Sequence, residues 1–245
     1  MQRLRVLSLV VVVAAFAAVA VADTKVVKAS HTDAFSMMGQ SQPAKDEENT
    51  IWLGEGRMRM DQGDSTFIIR ADENKMYIVN HGEKQYYVVD LPVDPSKLLP
   101  AEMAKQMMQM MKFDATVTPS EATKKVGEWT ARRYDVTMSS AMTQMKMEIW
   151  ATKDITFDYS GFNNLYEQTK LLAPGMGDVV EEMKKIDGFQ VESTTSMTMM
   201  GSEMKMSERT LSVEEGTPPA GAYDPPAGYK AEPFDFMKMQ QMKGK

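Results

Sequence analysis

The sequence contains no cysteine. That absence excludes disulfides, thiol nucleophiles and thiolate metal sites together. Histidine is nearly absent as well, with two in 245 residues, His31 and His81. A Ser-His-Asp site needs a histidine held by a partner, and neither local sequence offers one. His31 falls in a strand-like run, and His81 in "NHGE", a turn composition that tolerates histidine. No G-x-S-x-G, phosphate-binding loop or dinucleotide fingerprint occurs, and "GEG" at 54–56 reads as a hairpin turn. There is no excess of positive charge. Lys and Arg number 28 against 34 Asp and Glu, a net charge of −6. A nucleic-acid binder carries a basic stripe, so nucleic acid is not an expected partner. The reading is a non-enzymatic protein with no catalytic residues, no cofactor and no metal site of the ordinary kind.

Long hydrophobic runs are also missing, with one exception. The chain opens "MQRLRVLSLVVVVAAFAAVAVADTK". Arg3 and Arg5 precede an apolar run from Leu7 to Val19, and Ala20-Val21-Ala22 supplies small residues at a cleavage position. This predicts a signal peptide over 1–22, cut after Ala22, and a periplasmic protein with no stable membrane span after cleavage. No cysteine follows the run, so no lipid anchor is expected.

Adjacent carboxylates occur as Glu47-Glu48, Glu181-Glu182 and Glu214-Glu215. Neighbours on a strand point to opposite faces, and solvated charge is the reading for each pair. "DQGDS" at 61–65 lacks the remaining ligands of a calcium loop.

What is abundant is methionine, 25 of 245 residues. Between Asp23 and Leu91 the chain is a series of strand-length runs, "ENTIWL", "GRMRMD", "TFIIRAD", "MYIVN" and "QYYVVDL", separated by Gly, Asn and Asp. No crossover helices intervene, so the strands are expected to be antiparallel. In "PSKLLPAEMAKQMMQMMK" the period changes, and Leu99, Met103, Met107, Met110 and Met111 form one helical face. Strands resume in "KFDATVTP", and "EWTARRYDVTMSS" with "TQMKMEIWATKD" reads as a long hairpin. Residues 159–186 read as helical, broken at "APGMG". A last hairpin, "GFQVESTTSMTMM" with "SEMKMSERTLSVEE", is expected to turn at Gly201-Ser202, pairing Met199 with Met204 and Met197 with Met206.

The fold class is therefore mainly β (α+β): an antiparallel sheet of about ten to twelve strands, as one domain over 23–216, with helices at 96–111 and 159–186. Residues 217–245 form a Pro-rich C-terminal segment and polar tail.

"IWLGEGRMRMD" followed by "FIIRADENKMYIVNHGEKQYYVVDL" resembles the opening of an exported bacterial family, domain of unknown function 4412. "KKVGEWTARRYDVT…MEIWATKDI", "GFQVEST" and "YDPPAGYK" resemble its central hairpin, closing strand and Pro-x-Gly-Tyr ending. Arg59 matches the position of the family's arginine strand. The family is similar in architecture to the periplasmic lipoprotein carriers LolA and LolB. The resemblance implies a half-barrel whose concave face is covered by helices, here 96–111 and 159–186, with apolar space between. It implies no particular cargo.

Three readings of the methionines stay open. In "TQMKMEIW", "TTSMTMM" and "SEMKMS" methionine alternates with Lys, Glu, Ser or Thr, the mark of one buried and one wet face. Methionine could merely replace leucine in a core, although it specifies packing poorly. It could line an adaptable site for an apolar ligand. It could bind Cu(I), for which thioethers are soft ligands, using M-x-M pairs such as 145–147, 197–199 and 204–206. The favoured expectation is a ligand site with Met103, Met107, Met110 and Met111 as lid and Met145, Met147, Ile149, Met197, Met199, Met204 and Met206 as floor. Its expected partners are a lipid or other apolar ligand and an envelope protein. Trp52, Trp129 and Trp150 are expected to fill the ends of the sheet. The leader reading makes a direct prediction. The exported protein should begin at Asp23, with a net charge of −8 once Arg3 and Arg5 are removed, and N-terminal sequencing checks it.

Overall fold

The computed structural model describes residues 22–37, 40–92, 94, 96, 100–102, 104–105, 112–140, 143–155, 177–199 and 201–234. Two antiparallel meanders carry most of the chain. The first consists of β4 (Lys45–Gly54), β5 (Arg57–Gln62), β6 (Ser65–Arg70), β7 (Lys75–Asn80) and β8 (Gln85–Asp90). The second consists of β9 (Asp114–Val126), β10 (Trp129–Ser139), β11 (Thr143–Thr152), β12 (Phe189–Met199) and β13 (Ser202–Gly216). They are joined by β1 (Asp23–Thr32), which pairs with β4 on one side and β13 on the other. With β14 (Lys230–Pro233) at the far edge, the order is β14-β8-β7-β6-β5-β4-β1-β13-β12-β11-β10-β9, one open twelve-stranded sheet. All pairings are antiparallel except β14 with β8. The expected antiparallel β architecture is thus found, as a sheet not closed into a barrel.

β1 ends at Thr32, before Asp33-Ala34. The chain continues in a separate hairpin of β2 (Phe35–Met37) and β3 (Gln40–Gln42). Asp33 donates its N–H to Lys205 O at 2.9 Å, the last bond in register with the β1–β13 ladder.

The final hairpin also departs from expectation. Met197 pairs with Met204, Thr195 with Met206 and Met199 with Ser202. Gly201, at φ +81°, occupies the second loop position rather than the first, where the left-handed backbone favours glycine. The register is displaced by two residues. Because the side-chain period is also two, the methionines stay on the expected face.

Leu211, 50% exposed, is explained by a bulge. Val27 pairs with Ser212 and Lys28 with Thr210, which leaves Leu211 as the extra residue of β13.

The helix α1 (Gly177–Met183) packs on the second meander. Its Val179 and Val180 are buried. Met183 and Ile186 pack against Val117, Tyr134, Val136 and Ile149 of β9 to β11. Glu182 is not simply solvated: its Oε2 accepts the N–H of Val117 at 3.0 Å on the edge strand β9. Lys185 first, and that N–H second, hold its carboxyl below the usual range. The turn after α1 depends on Gly188, at φ +117°, where a Cβ would sit 2.4 Å from Thr152 O. Most of the expected helices at 96–111 and 159–186 lies outside the described residues. Within the first, Ala104 donates to Pro100 O at 2.9 Å, one helical turn.

The largest buried cluster joins Val26, Leu53, Val126, Trp129, Ala131, Trp150, Phe189 and Val191. Trp129 and Trp150 thus sit in the core beside β1. Trp52 packs instead with Ile68, Val79, Ala222 and Tyr223. That is where residues 217–229 run. Four prolines, Pro218, Pro219, Pro225 and Pro226, have no N–H to give a ladder. The segment crosses the first meander as a strap before Lys230 donates to Lys84 O at 3.0 Å and β14 begins.

Tyr223 anchors the strap. Its hydroxyl donates to Asp23 Oδ2 at 2.6 Å, a buried contact between the two ends of the domain. Burial, then Asp23, pushes the Tyr223 phenol well above its usual range. Removing the hydroxyl leaves a carboxylate without its donor, which costs about 1–3 kcal/mol. Tyr223→Phe should lower the urea midpoint correspondingly with an unchanged slope, as measured by equilibrium unfolding.

Candidate functional site

The methionines form rows across strands. Met138 pairs with Met145, Met145 with Met197, and Met197 with Met204, giving four thioether side chains in line over β10 to β13. At about 4.8 Å between strands the row is roughly 14 Å long. A second row runs Val136, Met147, Thr195, Met206 and Thr32. Met138 was not among the expected residues. The signal was present in "DVTMSS" but needed the β10–β11 register to be recognised. The lid residues Met103, Met107, Met110 and Met111 lie outside the described residues, and of Met199 the backbone register with Ser202 is what is described.

Burial separates the methionines from the core. The largest fully buried side chains are Phe189, Ile68, Ile149, Val26, Val79, Val126, Val136, Val180 and Val191. Every methionine whose side chain is described is half-buried instead. Ile149 belongs to the core, at 0% exposure, beneath Met183 and Ile186. Met147 and Met138 border the same cluster. Met145, Met197, Met204 and Met206 extend beyond it. The apolar face continues over the first meander through Met58, Ile69, Met76, Ile78 and Val89.

Charged neighbours of these methionines alternate onto the other face. Arg133 reaches Asp135 at 2.7 Å and Glu148 at 3.2 Å. Lys124 stands 4.1 Å from the centroid of the Trp150 ring and pairs with Glu192.

On the first meander the other face is held by a hydrogen-bond chain beneath the strap. Arg59 pairs with Asp61 at 2.8 Å and donates to Ala222 O at 3.0 Å. Thr66 donates to Asp61 Oδ1 at 2.6 Å. Its single proton being used there, Thr66 accepts from His81 Nε2 at 2.8 Å. His81 Nδ1 then accepts from the Tyr229 hydroxyl at 3.0 Å when the ring is neutral. His81 is therefore a strap anchor rather than a loosely tolerated turn residue. The order Asp-Thr-His also lacks the geometry of a triad, which needs the histidine between nucleophile and carboxylate.

An open pocket of about 540 Å³ adjoins the strap, lined in part by Asp23, Arg57, Arg70, Glu73 and Asp224. Arg70 is already matched by Asp72, Glu73 and Asp224 at 2.9, 2.5 and 2.9 Å. Arg57 stacks 4.9 Å from the Tyr223 ring centroid.

Neither histidine reaches the methionine face. His31 is the neighbour of Thr32 on β1 and points to the opposite side. Among the described residues no group of three or more His, Asp or Glu could hold a metal ion. No helix among them is long and apolar enough to cross a membrane.

The arrangement is an open antiparallel sheet with methionine rows on one face, interrupted at β1 by Lys28 and Asn49. The family described as domain of unknown function (DUF4412) matches over residues 35–229, and the chain belongs to it. No curated protein matches. A solved structure described as PNGF-II in a C2 space group aligns with 91% of this chain at 9% identity and a TM-score of 0.40. The chain spans about a third of that protein's length, 33%.

His31 generates a prediction. Its Nδ1 lies 2.7 Å from Asp46 and its Nε2 3.1 Å from Asp33. The Asp46 contact, against a smaller effect of desolvation, raises its pKa above 6.5. The folded value is raised, so the contribution is complete below the unfolded pKa and is lost as pH rises through the folded one. An NMR titration should place His31 above 6.5, and Asp46→Asn should bring it down.

Proposed function

We propose that the protein is an exported, non-enzymatic binding protein that holds an apolar ligand, a lipid acyl chain, against the methionine rows. The observation that carries this reading is the separation of methionine from the core. The buried positions are filled by Val, Ile and aromatic residues, while the described methionines form half-buried rows on one face. Unbranched, polarisable side chains adapt to variable contents. In this reading the sheet curves as a half-barrel in the manner of the LolA and LolB carriers. Helices 96–111 and 159–186 cover its concave side, and a periplasmic partner receives the cargo.

A second reading, Cu(I) binding, is favoured by one specific feature. Met145, Met197 and Met204 are directly opposed on three consecutive strands, which brings soft ligands together.

The test is native mass spectrometry of the mature protein from a periplasmic extract, followed by an apolar-probe titration of variants. A lipid-mass adduct, and at least a tenfold affinity loss in Met197→Asp/Met204→Asp, about 1.4 kcal/mol, supports the ligand site. Met197→Leu/Met204→Leu should keep probe binding. Full binding by a folded Asp variant rules out the rows as the floor. Uptake of Cu(I) alone, abolished by the Leu variant, selects the metal reading.

A further inference from the structure

The methionine face is interrupted where β1 crosses it. Lys28 of β1 is directly opposite Asn49 of β4 and Thr210 of β13, and Ser30 is opposite Glu208. These residues share a face with Thr32 and Met206, which are paired one step further along. Lys28 Nζ lies 3.4 Å from Glu208 Oε2. Ser193 and Thr195, on the same face of β12, are buried with Thr210. A polar island therefore stands at one end of the methionine rows. Asn49 stands two strands from β13 in register with Thr210, so Met206 and Met204, four and six residues along β13, lie about 16 and 22 Å from it.

Asn49 makes the island chemically specific. It is 6% exposed. Its Nδ2 donates to Ser30 Oγ at 3.1 Å, and Ser30 Oγ donates in turn to Glu47 O at 3.4 Å. Asn49 Oδ1 is the one buried side-chain polar atom without a partner among the described residues. Turning the amide over moves the deficit to its NH2 group and does not remove it. An unmet buried carbonyl is costly, and a bound hydrogen-bond donor relieves that cost. The neighbouring charges are already matched, Lys28 by Glu208, so a neutral donor suits the island better than a second carboxylate or ammonium.

We infer that the ligand is an amphiphile whose neutral head carries a hydroxyl or amide N–H. The head donates to Asn49 Oδ1, and the chain runs from it towards Met206. The inference rests on the apolar-ligand reading above and names the ligand class for that site.

The experiment is displacement of a bound fluorescent apolar probe from the mature protein by dodecanol and by methyl dodecyl ether, which differ in the donor. Wild type should favour the alcohol about tenfold. Asn49→Leu should bind the ether as wild type does and lose the preference for the alcohol. Asn49→Ala carries the same comparison if the leucine variant does not fold. Equal displacement by the two compounds in wild type, or a preference that survives in the variants, overturns the head site and leaves the apolar-ligand reading standing. Failure of the probe and both compounds to bind overturns that reading and this inference with it.

Discussion

The sheet depends on one strand having two partners. β1 takes β4 on one side and β13 on the other, and without it the two meanders have no common edge. Each meander is local: its strands are joined by short turns and close small loops. The β1–β13 pairing closes a loop of nearly the whole domain, with Lys28 and Glu208 separated by 180 residues. Such closure adds entropy cost slowly with loop length but delays the rewarding contacts. Val26, at 1% exposure in the cluster that joins Leu53 with Val191, is what apolar burial returns for that closure.

From this seam the two faces acquire different tasks. One carries the methionine rows, half-buried around Val136 and Ile149, and is interrupted at β1 by Lys28 and Asn49. The other buries Trp150 among Arg133, Glu192 and Lys124 over the second meander and is covered by the strap over the first. The strap is held by Arg59, His81, Arg70 and Tyr223, each with a polar partner on it or in the sheet. The position of Arg59, legible by resemblance alone, acquires a physical role here, since its guanidinium joins Asp61 to the backbone at Ala222. The Tyr223–Asp23 contact ties the strap to the start of the seam strand, so the first and last parts of the domain stabilise each other.

Much of the first meander was readable because its turns are local chemistry. Gly56 and Gly63, both with positive φ, fall in the turns expected for them. The methionine face was readable because alternation survives an error in register. The final hairpin was displaced by two residues, yet Met197, Met204 and Met206 remain on one side. The same insensitivity hid what lies beside what. Only the observed register shows that Met197 opposes Met204, that Met138 extends the row, and that Asn49 and Lys28 interrupt the face.

By itself, then, the sequence determined the strands, most turns and the side on which methionine lies, because these follow from a period of two and from glycine's backbone freedom over a few residues. Tertiary structure decided which strand is central, that the proline-rich segment straps the opposite face, and where a buried asparagine interrupts the methionine face. Those outcomes depend on pairings between residues far apart in the chain. Local pattern is the same whichever partner a strand takes, and only burial of the assembled sheet distinguishes them.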